Sequence, residues 1–211
     1  MITAHTGSDG YVDNSLEFIQ ACLDSSVSAM EIDVQLADDG TLYLAHDMLT
    51  NYHAAVSLAD CFTLLGQRPD LIVNIDCKSR SVGTAVLAYA RQQELANPLV
   101  FSGSILLEDF AVADRDKLFY NLENHFSLEQ LEAQSYFEAL GDLSRAGVTV
   151  VQVYYELATP ALIKALKAKG IGLSVWTVND LTQIDYYLDM GCVNVTSRKA
   201  LTYLKAKKEG R

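Results

Sequence analysis

Glu31 and Asp33 stand two apart in an otherwise apolar run, Met30-Glu31-Ile32-Asp33-Val34. Strand side chains alternate faces with a period of two, so in a strand both carboxylates project from one side while the aliphatic residues cover the other. Two like charges held that close repel and shift each other's ionisation unless something neutralises them. A divalent cation bound by oxygen ligands is the simplest remedy. His5 lies upstream and His46-Asp47 downstream. Near the carboxylates, the two imidazoles add groups that move protons near neutral pH, and the combination reads as metal-assisted acid and base chemistry.

Such a constellation needs elements that bring distant residues to one place. Short β-rich runs at 2–5, 29–35, 71–78, 98–102, 118–122, 149–154, 172–177 and 193–196 alternate with helical runs at 15–25, 58–66, 82–95, 107–115, 128–146, 160–169, 181–190 and 199–207. Ser15, Ser57, Thr159 and Asp180 are suited to cap helix N-termini, Pro160 suits a first helical position, and Gly147, Gly170 and Gly191 fall just past helix ends. Strand-helix units repeated in this way predict an α/β fold, a single compact (β/α)8 TIM barrel over 1–211. An extra extended segment at 41–45, set off by Asp38-Asp39-Gly40, predicts a β-hairpin after the second strand that delivers His46 to the strand's carboxyl end. Parity agrees with a barrel. In the third strand Leu71, Val73, Ile75 and Cys77 share one face and Asn74, Asp76 and Lys78 the other; in the seventh, Leu173 and Val175 oppose Ser174 and Trp176.

Composition narrows the class. The chain has 211 residues, 50% of them hydrophobic, enough for one sizeable core. No apolar run approaches the roughly 20 residues of a membrane span, and the first residues lack the basic and apolar segments of a secretory signal. A cytoplasmic location is the expectation. Cys22, Cys61, Cys77 and Cys192 have no C-x-x-C spacing and read as reduced thiols. A net charge of -11 argues against nucleic acid and anionic membrane as partners. An anionic small-molecule substrate would have to be held by local cations. Nothing in the sequence speaks to oligomeric state.

His5-Thr6-Gly7, Asp13-Asn14-Ser15, Glu31-Ile32-Asp33, Asp39-Gly40, His46-Asp47, Asp76-Cys77-Lys78 and Trp176-Thr177-Val178-Asn179 follow one another along the chain. In that order they resemble the signature of the glycerophosphodiester phosphodiesterase family, within the phospholipase-C-like barrel superfamily. Thr6 stands where that family has arginine, and Asp13 and Asp76 where it has glutamate.

The resemblance implies that Glu31, Asp33 and Asp76 bind a divalent metal ion, Mg2+ or Ca2+, and that His5 and His46 are the acid and base. The implied activity is hydrolysis of a small-molecule phosphodiester into an alcohol and glycerol phosphate. Lys78 is then expected against the phosphate or the carboxylates, and Trp176 as a wall for the glycerol or head group. From the residues alone, Lys78 reads equally as a salt-bridge partner of Asp76, and Trp176 as barrel packing. Thr6 offers one neutral hydroxyl where arginine would offer a forked, permanently charged donor. Arg198, after the eighth strand, is the expected replacement, because loops after strands seven and eight often hold phosphate in such barrels. A lysophospholipase D or sphingomyelinase D type of phosphodiesterase is an alternative, as is a non-catalytic protein that holds phosphate or polyols.

Overall fold

Alternating apolar and polar residues build a nine-stranded sheet. In the computed structural model, which describes residues 1–133 and 136–210, the strands are β1 (Ile2–Ala4), β2 (Ala29–Leu36), β3 (Leu42–Leu44), β4 (Ile72–Cys77), β5 (Leu99–Gly103), β6 (Phe119–Asn121), β7 (Val150–Tyr154), β8 (Gly172–Trp176) and β9 (Asn194–Ser197). The helices are α1 (Leu16–Asp24), α2 (Leu58–Leu65), α3 (Arg80–Gln92), α4 (Leu128–Ala133), α5 (Leu140–Arg145), α6 (Pro160–Lys167), α7 (Leu181–Met190) and α8 (Ala200–Lys208). β3 aside, the paired strands are parallel and follow the order β5-β4-β2-β1-β9-β8-β7-β6. A single parallel bridge, Phe101 to Leu118, joins the β5 edge to the residue that leads into β6. Eight parallel strands thus form a nearly closed barrel with helices between them, the predicted (β/α)8 architecture. β3 folds back antiparallel on β2, with Val34 opposite Leu44, which is the predicted hairpin.

The local helix signals act where expected. Ser15, Ser57, Thr159 and Asp180 each accept a hydrogen bond from a backbone N–H in the first turn of α1, α2, α6 and α7, and Pro160 opens α6. Two predicted helices take another form. The run 107–115 is two 3-10 turns, Leu107–Asp109 and Val112–Lys117, parted by an extended backbone at Phe110. That break turns Phe110 into the core, 5.6 Å from the Phe101 ring and over Gly83, where a Cβ would collide with it. Burying a phenyl ring outweighs the few extra hydrogen bonds of a short helix. The run 128–146 is divided into α4 and α5 by a turn at 136–139 that buries Tyr136 against Phe126. Gln134 and Ser135 of that predicted helix, and Arg211, lie outside the described residues. Among the described residues no helix is long and apolar enough to cross a membrane.

Met30, Ile32, Val34, Val73, Ile75, Leu173 and Val175 are buried and belong to the apolar core between strands and helices. The alternate residues of the same strands carry polar groups instead. One buried hydrogen-bond chain runs from Thr3 Oγ1, which donates to Asn194 Oδ1 at 2.8 Å. Asn194 Nδ2 donates to Ser174 Oγ at 3.0 Å, and Ser174 Oγ to Gln152 Oε1 at 3.4 Å. Barrels of this kind usually fill that space with branched aliphatic residues. Here each buried polar group in the chain holds its neighbour's orientation.

Candidate functional site

β2 and β4 lie side by side with Asp33 opposite Asp76 and Glu31 opposite Asn74. Glu31, Asp33 and Asp76 each present a carboxylate oxygen, and these atoms all lie within 4.8 Å of one another. Lys78, two residues beyond Asp76, donates to Asp33 Oδ1 at 2.8 Å and to Asp76 Oδ2. Asn74 Nδ2 donates to Glu31 Oε2 at 3.2 Å, and Ser102 Oγ to Asp76 Oδ1 at 3.4 Å. Gly103 sits beside this pair at φ +80°, a conformation glycine adopts at no steric cost, and a Cβ there would strike the Asp76 carboxylate.

His5 follows β1, with Nε2 3.6 Å from Glu31 Oε1. Its Nδ1 donates to the Thr6 carbonyl at 2.9 Å, which leaves Nε2 as the nitrogen with a lone pair. His46 is exposed after β3, where Gln35 Nε2 donates to its carbonyl and its Nδ1 is 2.9 Å from Asp47 Oδ1. His5, His46, Glu31, Asp33, Asp76, Lys78 and Trp176 line one cavity of about 320 Å³ at the carboxyl ends of the strands. Seven of the nine residues singled out from sequence therefore meet there.

Thr6 and Arg198 are placed otherwise. Thr6 is fully buried, and its hydroxyl donates to Asn14 Oδ1 and accepts from the Asn14 N–H at 2.6 Å. Asn14 in turn donates from Nδ2 to Asp33 Oδ2 at 2.8 Å and accepts from the Asp33 N–H at 2.9 Å. Asn14 holds φ +59°, a left-handed conformation that asparagine tolerates better than most residues. Thr6 thus steadies Asp33 at one remove, through Asn14. The Arg198 guanidinium is held by Asp13, at 2.8 Å and 3.2 Å to its two oxygens, outside the cavity lining.

Ser102, Ser104, Asn121, Asn124, Gln152 and Thr177 complete the cavity wall. Sequence reasoning passed over them, although Gln152 between Val151 and Val153 was a visible signal, a polar side chain alternating with aliphatic ones in a strand.

Charge in the cluster is unevenly held. Burial, reinforced by the charges of Asp76 and Asp33, pushes the Glu31 carboxyl well above its ordinary value. Burial likewise raises Asp76, partly offset by Lys78. Burial would raise Asp33 too, but the hydrogen bond and charge of Lys78, with Asn14, hold it below the ordinary range. For His5, burial lowers the imidazole below its ordinary value against the pull of the Thr6 carbonyl, and the charge of Arg198 lowers it further. Three carboxylates meet one ammonium, and the Asn74 Oδ1 beside Glu31 has no partner among the described residues. An all-oxygen donor set short of positive charge fits a hard divalent cation.

No family model matches the chain, and no curated protein matches it. Solved structures do. A glycerophosphodiester phosphodiesterase from Parabacteroides distasonis aligns with a TM-score of 0.76 at 16% identity, covering 100% of this chain and 98% of that one. A phosphodiesterase from Oleispira antarctica, in complex with the product sn-glycerol-3-phosphate, aligns at 0.72 and 18% identity over 99% and 96%. A glycerophosphodiester phosphodiesterase from Thermotoga maritima aligns at 0.66 and 19% identity over 97% and 96%. By these comparisons the chain has the barrel fold of glycerophosphodiester phosphodiesterases of known structure.

Proposed function

We propose that this protein hydrolyses glycerophosphodiesters to an alcohol and glycerol phosphate, with a divalent metal ion, Mg2+ or Ca2+, and two histidines as proton carriers. The observation that carries the reading is the single cavity lined by three clustered carboxylates, two histidines and a lysine. The product bound in the Oleispira structure supports the same substrate class. A phosphodiester is an anion that resists attack, and a bound divalent cation neutralises charge building on its oxygens. Glu31, Asp33 and Asp76 would hold that cation, and Lys78, bonded to Asp33 and Asp76, adds positive charge beside them. His5 Nε2 takes the proton from the attacking glycerol hydroxyl, in the tautomer fixed by its bond to the Thr6 carbonyl. His46, beside Asp47 on the rim, protonates the leaving alkoxide. The glycerol oxygen bonds to phosphorus as the bond to the leaving alcohol breaks, which gives a cyclic phosphate, and the histidines' roles reverse when water adds to phosphorus and reopens the ring. Trp176 walls the cavity, while Thr6 acts through Asn14 and Arg198 through its charge.

The test is a panel of glycerophosphodiesters, lysophosphatidylcholine and sphingomyelin, assayed with Mg2+, Ca2+, Mn2+ or chelator. A glycerophosphodiester is expected to be turned over with added cation and spared in excess chelator. Full activity in chelator refutes the metal role. Turnover of lysolipid or sphingomyelin alone transfers the reading to a phospholipase D type, and binding without turnover to a non-catalytic protein.

Arg198→Ala is expected to raise KM several-fold, on the scale of a screened charge acting at a distance. It also moves the acid limb of kcat/KM to higher pH. Losing the guanidinium raises the His5 pKa, and a base must lose its proton to work, so the profile shifts upward. A profile that stays in place removes Arg198 from the site's electrostatics.

A further inference from the structure

Helix α8 begins without a cap of its own. Lys199 stands in its N-cap position, and an ammonium has no acceptor to offer the first N–H groups of a helix. The loop after β1 supplies the acceptors instead. The Ala200 N–H donates to Ser8 Oγ at 3.3 Å, the Leu201 N–H to Asp9 Oδ2 at 2.9 Å and the Thr202 N–H to Asp9 Oδ1 at 3.1 Å. Ser8 Oγ donates to Asp9 Oδ2 at 2.6 Å, and the Asp9 N–H to the Arg198 carbonyl at 2.8 Å. Both carboxylate oxygens are thus taken, and Asp9 keeps φ +61°, a left-handed backbone that few side chains adopt.

Barrels of this kind often hold phosphate at the loops after the last two strands and a helix N-terminus beside them, where partial positive charge gathers. Here a carboxylate of the chain itself fills that place. The same loop carries His5. The His5 N–H donates to the Ser197 carbonyl at 3.0 Å, the Ser8 N–H to the His5 carbonyl at 2.9 Å, and the Thr6 carbonyl accepts from His5 Nδ1. We infer that Asp9 is a positioning residue: its carboxylate seats the loop after β1 on the N-terminus of α8, and so fixes the His5 ring in the tautomer that leaves Nε2 free. Substrate phosphate is thereby kept off α8. The inference rests on the phosphodiesterase reading for the work His5 does, whereas the seating of its ring has a readout of its own.

Asp9→Gly is the test, measured on the Mg2+-loaded protein, because glycine accepts φ +61° and only the carboxylate is lost. It is expected to lower kcat by about tenfold, as a misplaced proton carrier does, and to leave KM within about twofold. Nitrogen NMR of the His5 ring, assigned with His5→Ala, should show one tautomer in the wild type and a mixture in the variant. Acetate refills the space of the lost carboxylate, so it restores the single tautomer and most of the rate without activating the wild type. Should Asp9→Gly fail to fold by circular dichroism, Asp9→Asn suits the left-handed backbone and keeps one acceptor for two N–H groups, and the same losses are expected in smaller measure. Wild-type kcat and ring signature in the folded variant, a rise in KM with kcat unchanged, or losses that acetate does not restore in Asp9→Gly overturn the assignment. A ring signature that moves as expected in a protein without turnover upholds the positioning and overturns the reaction. Turnover with the signature unmoved overturns the positioning alone.

Discussion

His5→Ala and His46→Ala are each expected to lower kcat by roughly a hundredfold or more, the usual scale for a positioned acid or base. The two histidines serve one proton circuit under the proposed reaction, so the double variant should fall by less than the product of the singles. The environments differ, and so should the side effects. His5 is packed between the Thr6 carbonyl and Glu31, and its loss leaves a small void in the strand end. His46 is exposed, so its removal should leave Tm unchanged. Wild-type kcat in either single variant would strip that residue of its role.

Asp33→Asn should abolish most turnover, through weaker metal binding rather than unfolding. Under the proposed reaction, removing one charged carboxylate of the three leaves two, one of them Glu31, whose pKa burial raises, to retain a hard cation. Metal affinity measured by titration calorimetry should fall at least tenfold, the scale at which even outer residues of metal sites act. The amide keeps the shape of the carboxylate but turns its NH2 toward one of two donors, Asn14 Nδ2 or Lys78 Nζ, so the fold persists with a loss of stability. That loss has a defined pH course. The folded-state pKa of Asp33 lies below its ordinary value of 3.8, so its ionised form stabilises the fold above that value and ceases to do so as pH falls through the folded pKa. The Tm gap between wild type and variant is accordingly widest near neutrality and closes in strong acid. A gap that widens in acid would contradict the ion pair with Lys78.

Much of this was legible because it is local. The alternation Met30-Glu31-Ile32-Asp33-Val34 assigns faces by itself, and Ser15, Ser57, Thr159 and Asp180 carry their caps in their own side chains. Partners that are remote in sequence were not legible. Nothing near 107–115 announces that Phe110 will be drawn against Phe101 and over Gly83, and that contact decides the broken helix. Asn14 could be matched to a motif, but its bonds to both Thr6 and Asp33 depend on where β1 and β2 end up. Arg198 was placed at the correct end of the barrel; its capture by Asp13, 185 positions away, belongs to the folded chain alone.

The seam between β5 and β6, crossed by one bridge from Phe101 to Leu118, divides the barrel in a way that bears on its diversification. His5, Glu31, Asp33, His46, Asp76 and Lys78 all precede that seam, and Asn121, Gln152 and Trp176 all follow it. The charged groups of the cavity and its uncharged opposite wall therefore lie in separate blocks of chain. A recombination breakpoint in 104–117 would exchange the second block while preserving every spacing in the first, so the uncharged wall can be replaced without disturbing the carboxylate cluster.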